Sequence, residues 1–248
     1  MTDAGRSTRL FFALVVVVAA LAAASAYLPQ GLPTSIPETT VPIEQIALVA
    51  SGSVLIFYGG LGYLGLRLTR KLGYPDLLDP LVPAKQRFVI PGIAGLWLGL
   101  LFIVVDNIFA RFHSLGPLPH PPFPTSLLAS FSAGIGEEMI FRLFFIPALV
   151  WFISRVVLKG AQEAAVYWTA AMFSGMFFAA GHIPSIMLLL QVSSFQDIPT
   201  TIISEIFLLN GTLSLVAAHF LRRSGYLAAV TVHTATDLVW HVLWGLLR

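Results

Sequence analysis

Residues 133–145 read AGIGEEMIFRLFF: two adjacent glutamates, with an arginine four places after the second, in a run otherwise apolar or glycine. On a soluble helix these charges would form a solvated face. Inside a membrane they would need partners. Which setting applies decides the fold.

Composition decides it. Of 248 residues, 57% are hydrophobic and only 10% are charged, against about 25% charged in ordinary soluble domains; the mean hydropathy is +0.85. The chain is therefore read as all-α, a polytopic transmembrane helical bundle of seven to eight spans. The absence of cysteine excludes a disulfide frame, a thiolate metal site and a cysteine nucleophile. Catalysis is left to carboxylate, imidazole, hydroxyl or metal chemistry.

Against the roughly 20 residues a helix needs to cross a bilayer, the apolar runs predict spans at 9–28, 43–66, 88–110, 126–154, 164–182, 199–221 and 225–246, with a short eighth element at 184–195. LPQGLPTSIPETTVP (28–42) and HSLGPLPHPPFPT (113–125) are expected surface connections, because proline ends helices and favours extended backbone. Arg6 and Arg9 before LFFALVVVVAALAAASA also fit a signal peptide, although the run is long for one and further spans follow.

Basic residues test the count. With a cytoplasmic N-terminus and seven crossings, the inner segments hold Arg6, Arg9, Arg67, Arg70, Lys71, Lys85, Arg87, Arg155, Lys159, Arg222 and Arg223, as the positive-inside rule requires. Arg111 and Arg248 fall outside and Arg142 lies within a span. No concentrated basic and aromatic face points to nucleic acid.

Within the spans stand Asp106, Glu137, Glu138, Arg142, Glu205 and Asp237, with His182, His233 and His241. A charge at the bilayer centre costs on the order of 3 kcal/mol, so Glu137, Glu138 and Arg142 unpaired would cost on the order of 9 kcal/mol. Spacing offers a remedy: residues four apart share a helix face. Glu138 can pair with Arg142, while Glu137, about 100° around, can point to another span. FFAAGH aligns Phe178 with His182, and VHTATD aligns His233 with Asp237. A carboxylate beside an imidazole fixes its orientation, as acid–base or metal chemistry needs. Taken singly, each has a plainer reading: a structural ion pair for Glu138 and Arg142, core packing for Phe178, an interfacial position for His182. His241 falls on the stripe of His233 and Asp237 and is a weak auxiliary ligand. His113 and His120 receive no role.

Together, Glu137-Glu138-x-x-x-Arg142, Phe178-x-x-x-His182 and His233-x-x-x-Asp237 resemble, in order, the three motifs of the CPBP intramembrane proteases, the CAAX prenyl endopeptidases and their bacteriocin-immunity-related relatives. The resemblance divides the chain into N-terminal transmembrane helices (1–120) and a catalytic helical core (121–248) within one membrane domain. It implies an intramembrane endopeptidase of a prokaryotic plasma membrane, acting on a membrane-associated or lipidated substrate among membrane lipids. Glu137 would be the base that activates water, aided by His182. Glu138 and Arg142 would support it, Phe178 would contact substrate, and His233 with residue 237 would stabilise the oxyanion. Zinc held by Glu137, His182 and His233 and a metal-free glutamate mechanism are both compatible with it. Many members have asparagine where this chain has Asp237; an ionised aspartate would repel an oxyanion, so it would be protonated, orient His233, or bind a metal. The other function classes are a non-proteolytic scaffold or immunity factor and a small transporter. Transport is disfavoured because no inverted repeat is evident.

Overall fold

The structure is a computed structural model that describes residues 3–31 and 40–248; positions 32–39 of the first proline-rich connection lie outside the described residues. Among those residues every regular element is helical. Six helices are long and apolar enough to cross a membrane. The first is α1 (Asp3–Ser25), followed by α2 (Ile43–Leu72), α3 (Lys85–Phe109) and α4 (Thr125–Val157). Next, α5 (Glu163–Ala180) and α6 (Ile183–Leu190) follow one another as the single candidate span Glu163–Leu190, and α7 (Thr200–Ser224) is the sixth. The last helix, α8, runs unbroken over 226–247. Its length would suffice, but His233, Asp237 and His241 dilute its apolar character, and it is not among the six.

The expected boundary at 182 is corrected here. Gly181 and His182 keep right-handed helical backbone angles, so the chain continues into α6 instead of leaving the bundle. Pro184 sits in the first turn of α6, where a missing N–H leaves no bond unmade. The separate element expected at 184–195 is the distal part of the fifth candidate span. α1 starts six residues before the apolar run suggested, because helix geometry continues through Arg6 and Arg9 into the polar end.

The bundle turns its apolar side chains both ways. Leu48, Val49, Ile56, Trp97, Val104, Met172 and Phe173 are exposed on the outside, as suits a hydrocarbon solvent. Inside, Phe11, Val15 and Val18 of α1 pack with Leu66, Met139, Leu143 and Tyr226. Hydroxyls tie helices together where no water competes: Tyr226 Oη donates to the Ile135 carbonyl at 2.6 Å, and Tyr167 Oη to that of Ala218 at 2.6 Å. At one end Arg70 reaches Asp76 at 2.9 Å and the Ala4 carbonyl at 3.0 Å, joining α2 to α1. There α2 stops at Gly73, whose φ of +76° suits a residue without a side chain.

α8 packs on α3, α4 and α7, and glycine lets it sit that deep. A Cβ on Gly95 would strike the Val232 carbonyl and Ala235, and one on Gly134 would strike Thr234. Small residues at such crossings let backbones approach where no hydrophobic force drives association. Gly95→Ala should therefore lower stability by about 1–3 kcal/mol, read as a lower thermal midpoint of the purified protein. Gly60→Ala, which meets nothing within 4 Å, should not; equal midpoints would disprove the close-packing role.

Candidate active site

The adjacent glutamates of α4 have different surroundings, because one helical step turns them about 100° apart. Glu138 points into the bundle and is wholly buried. Its Oε1 lies 2.8 Å from Nδ1 of His233, and its Oε2 lies 3.3 Å from Nε of Arg142. Glu137 lines a cavity with its side chain 31% exposed, and its Oε2 is 3.9 Å from Nε2 of His233. Directly after Glu138, α4 passes into π-type turns over Met139–Phe145; α8 does the same directly after Asp237. Such turns shift the azimuth of the residues downstream of them.

Arg142 is wholly buried. Among the described residues its ion-pair partner is Glu138, and its guanidinium lies 4.5 Å from the Phe178 ring centroid. Phe178, one of the α5 residues facing the cavity, also meets the edges of His182 and His233, with centroids 5.1 and 5.7 Å apart. It is a packing hub and a wall of the cavity at once. His182 Nδ1 lies 2.9 Å from the Phe178 carbonyl oxygen. That oxygen can only accept, so Nδ1 carries the proton and Nε2 is left for other partners.

On α8, His233 has a carboxylate on each side. Glu138 takes Nδ1, while Oδ2 of Asp237 lies 3.4 Å from Nε2. The four-residue spacing predicts Asp237 as the group that orients this ring; the shorter contact comes instead from Glu138, across 95 residues of sequence. Glu138 thus faces His233 and Arg142 at once, but among the described residues its Oε2 and the three guanidinium nitrogens of Arg142 make no hydrogen bond, so the second contact is an ion pair alone.

Glu137, His182, His233 and Asp237 line one cavity of about 460 Å³, together with Phe178. The fifth candidate span continues past His182 to Leu190, and His182 lines the same cavity as Glu137. Glu138 and Arg142 stand behind the wall. The rest is largely apolar, including Phe102, Ile186, Leu189, Leu209 and Leu213. Among the described residues no group of three or more His, Asp or Glu side chains is placed to hold a metal ion.

Two histidines without a sequence-based role lie nearby. His120 lines the cavity from the proline-rich connection and meets His241 of α8, Nδ1 to Nδ1, at 3.1 Å. Burial, with His241 and Arg248 beside it, pushes the His120 imidazole down to about 3, which leaves it neutral. His113 pairs with Glu205 at 3.0 Å, both buried; that is the partner Glu205 needs within α7. Leu118 N donates to Asp106 at 2.7 Å, holding the same connection against α3. The only advance signal was the density of prolines around the two histidines, which marks a loop but not where it folds.

In comparison with known proteins, the family model described as type II CAAX prenyl endopeptidase Rce1-like matches residues 119–239. The match spans His120 and every motif residue from Glu137 to Asp237, and stops before His241. No curated protein and no solved structure matches the chain.

Proposed function

Through residues 119–239 the chain belongs to the Rce1-like type II CAAX prenyl endopeptidase family, and from that premise we propose that it is an intramembrane endopeptidase. Its core, 121–248, hydrolyses a peptide bond of a membrane-associated substrate, one bearing a prenyl group on the family's pattern. Seven crossings with a cytoplasmic N-terminus, in a prokaryotic plasma membrane, complete the proposal.

One observation carries it: of two adjacent glutamates, Glu138 is buried and paired while Glu137 opens into the cavity beside His233. A scaffold has no use for a partly exposed carboxylate inside a bundle, whereas a general base must reach water. In the proposed reaction the Glu137 carboxylate takes a proton from a water, aided by Nε2 of His182 as acceptor. The water oxygen bonds to the scissile carbonyl carbon, and the C–O π pair moves to oxygen. Nε2–H of His233, whose ring Glu138 fixes from the other side, donates to that oxyanion. The proton on Glu137 passes to the leaving nitrogen as the C–N bond breaks.

The test is the purified protein in lipid nanodiscs with a peptide ending in an S-farnesylated cysteine and three aliphatic residues. Mass spectrometry should find the released tripeptide. An intact peptide under conditions where the protein stays folded would refute the reading.

Asp237 gives a finer expectation. Glu138 already holds His233, so an amide at 237 can still accept from Nε2 through its oxygen and adds an N–H for the oxyanion. Asp237→Asn should keep activity within about threefold. The measurement compares both forms at matched protein level with metal content recorded. A folded, inactive Asn variant would assign Asp237 an orienting or metal-binding charge instead.

A further inference from the structure

The α2–α3, α4–α5 and α7–α8 connections, with the helix turns beside them, hold most of the chain's lysines and arginines. At that end of the bundle the π-type turns that open α3, Lys85–Val89, pack on α8. Between them and the last turns of α7 lies a cleft of about 260 Å³, lined by Gln86 and Ile90 of α3 and by His219, Phe220, Arg223 and Ser224 of α7. It shares no residue with the cavity that holds Glu137.

The polar side chains of this cleft differ from their neighbours. Arg87 donates to the Asp79 carbonyl at 2.6 Å, and Arg222 lies over the Tyr167 ring, 4.7 Å from its centroid. The side chains of Gln86, His219, Arg223 and Ser224 make no hydrogen bond or ion pair among the described residues. Ser224 is the most informative of the four. Helical hydroxyls elsewhere in the bundle return to the carbonyl four residues back, as those of Ser130, Ser204 and Thr212 do at 2.8, 2.8 and 2.6 Å. Ser224 does not, although it is only 3% exposed. The helix dipole alone accounts for an arginine in a last turn; it does not account for an unbonded, nearly buried serine beside it.

All four groups can donate: a guanidinium, an imidazole N–H, an amide NH2 and a hydroxyl. Among the described residues no carboxylate lines the cleft. The set suits an anion with several acceptor oxygens, and guanidinium groups recognise phosphate in particular. The other two walls, Ile90 and Phe220, are apolar, and beside them Phe88, Val89 and Ile93 are exposed on the outside of α3. A ligand that satisfies both halves carries a phosphate at one end and an apolar chain at the other, at the depth where a span begins. Basic clefts between membrane helices take lipid head groups in this way.

We infer that this cleft binds an anionic phospholipid, with Arg223, His219, Gln86 and Ser224 on its phosphate and an acyl chain along Ile90 and Phe220. The bound lipid bridges the start of α3 and the end of α7, two of the helices on which α8 packs. The inference is independent of the endopeptidase reading.

The experiment takes the whole chain, purified and delipidated in a neutral maltoside detergent, and measures thermal midpoints together with lipid adducts by native mass spectrometry. Dioleoylphosphatidylglycerol should raise the midpoint by about 5 °C or more at saturation. Dioleoylphosphatidylcholine should give less than about half that shift, because its ammonium meets a cation, and inorganic phosphate should give none. Arg223→Gln and Ser224→Ala should lose most of the phosphatidylglycerol shift and its adduct. Arg67→Gln, which removes the same charge from an exposed position on α2, should keep both. Equal shifts from the two lipids would overturn the anionic head group. A shift from inorganic phosphate as large as that from phosphatidylglycerol would overturn a lipid as the ligand. An undiminished shift in Ser224→Ala and Arg223→Gln, or in whichever of them folds, would overturn the site itself.

Discussion

Glu137→Gln should reduce peptide cleavage by about 10³-fold or more while the protein accumulates and unfolds as the wild type does. The size follows from the loss of a general base, which contributes about 10²–10⁴-fold. The normal stability follows from the surroundings. At 31% side-chain exposure the carboxylate keeps contact with the cavity, so an amide of the same shape is not forced into a dry site. Its nearest charged neighbour, His233 Nε2 at 3.9 Å, is beyond hydrogen-bond range and keeps Asp237 and Glu138 as partners. No cation is stranded. The assay is tripeptide release at matched protein level, beside a thermal unfolding curve. Residual activity within tenfold of wild type would remove Glu137 from the role of base.

The elements that could be read in advance are those whose physics is local. Charges inside AGIGEEMIFRLFF are costly only in a membrane, so composition turned a common pattern into a site, and four-residue spacing placed Glu138 with Arg142 and His233 near Asp237. Periodicity states which residues share a face; it does not state which helix lies opposite. The bond from Glu138 to His233 therefore could not be read, since it depends on how Gly134 seats α4 against Thr234 of α8. Nor could the continuation of the fifth span past His182, which turns on the backbone angles of two residues. The connection between α3 and α4 carries no periodicity at all. His113 found Glu205 and His120 found His241 through the fold of a proline-rich loop, and only the packed chain reveals those pairs.

Glu138→Gln should differ from its neighbour in kind. Its carboxylate is wholly buried, touches Arg142 with one oxygen and His233 with the other, and is the negative charge that makes both tolerable. The amide can still accept the His233 Nδ1 proton, so the ring need not turn. It cannot neutralise Arg142, whose remaining close support is the Phe178 face at 4.5 Å. Removing one partner of a buried pair costs about 3–5 kcal/mol, because the other stays buried and uncompensated. A substantially lower thermal midpoint and reduced membrane abundance are expected. Activity per folded molecule should also fall, by about 10²-fold, since His233 loses the carboxylate that supports its charge as the oxyanion forms. The stability loss can be separated from the catalytic one. Glu138→Gln combined with Arg142→Met removes the stranded cation and fills its volume, so the midpoint should recover toward wild type while activity stays low. A single Glu138→Gln variant with the wild-type midpoint would show that Arg142 does not depend on this carboxylate. A double variant that regained activity along with stability would show that Glu138 serves packing alone.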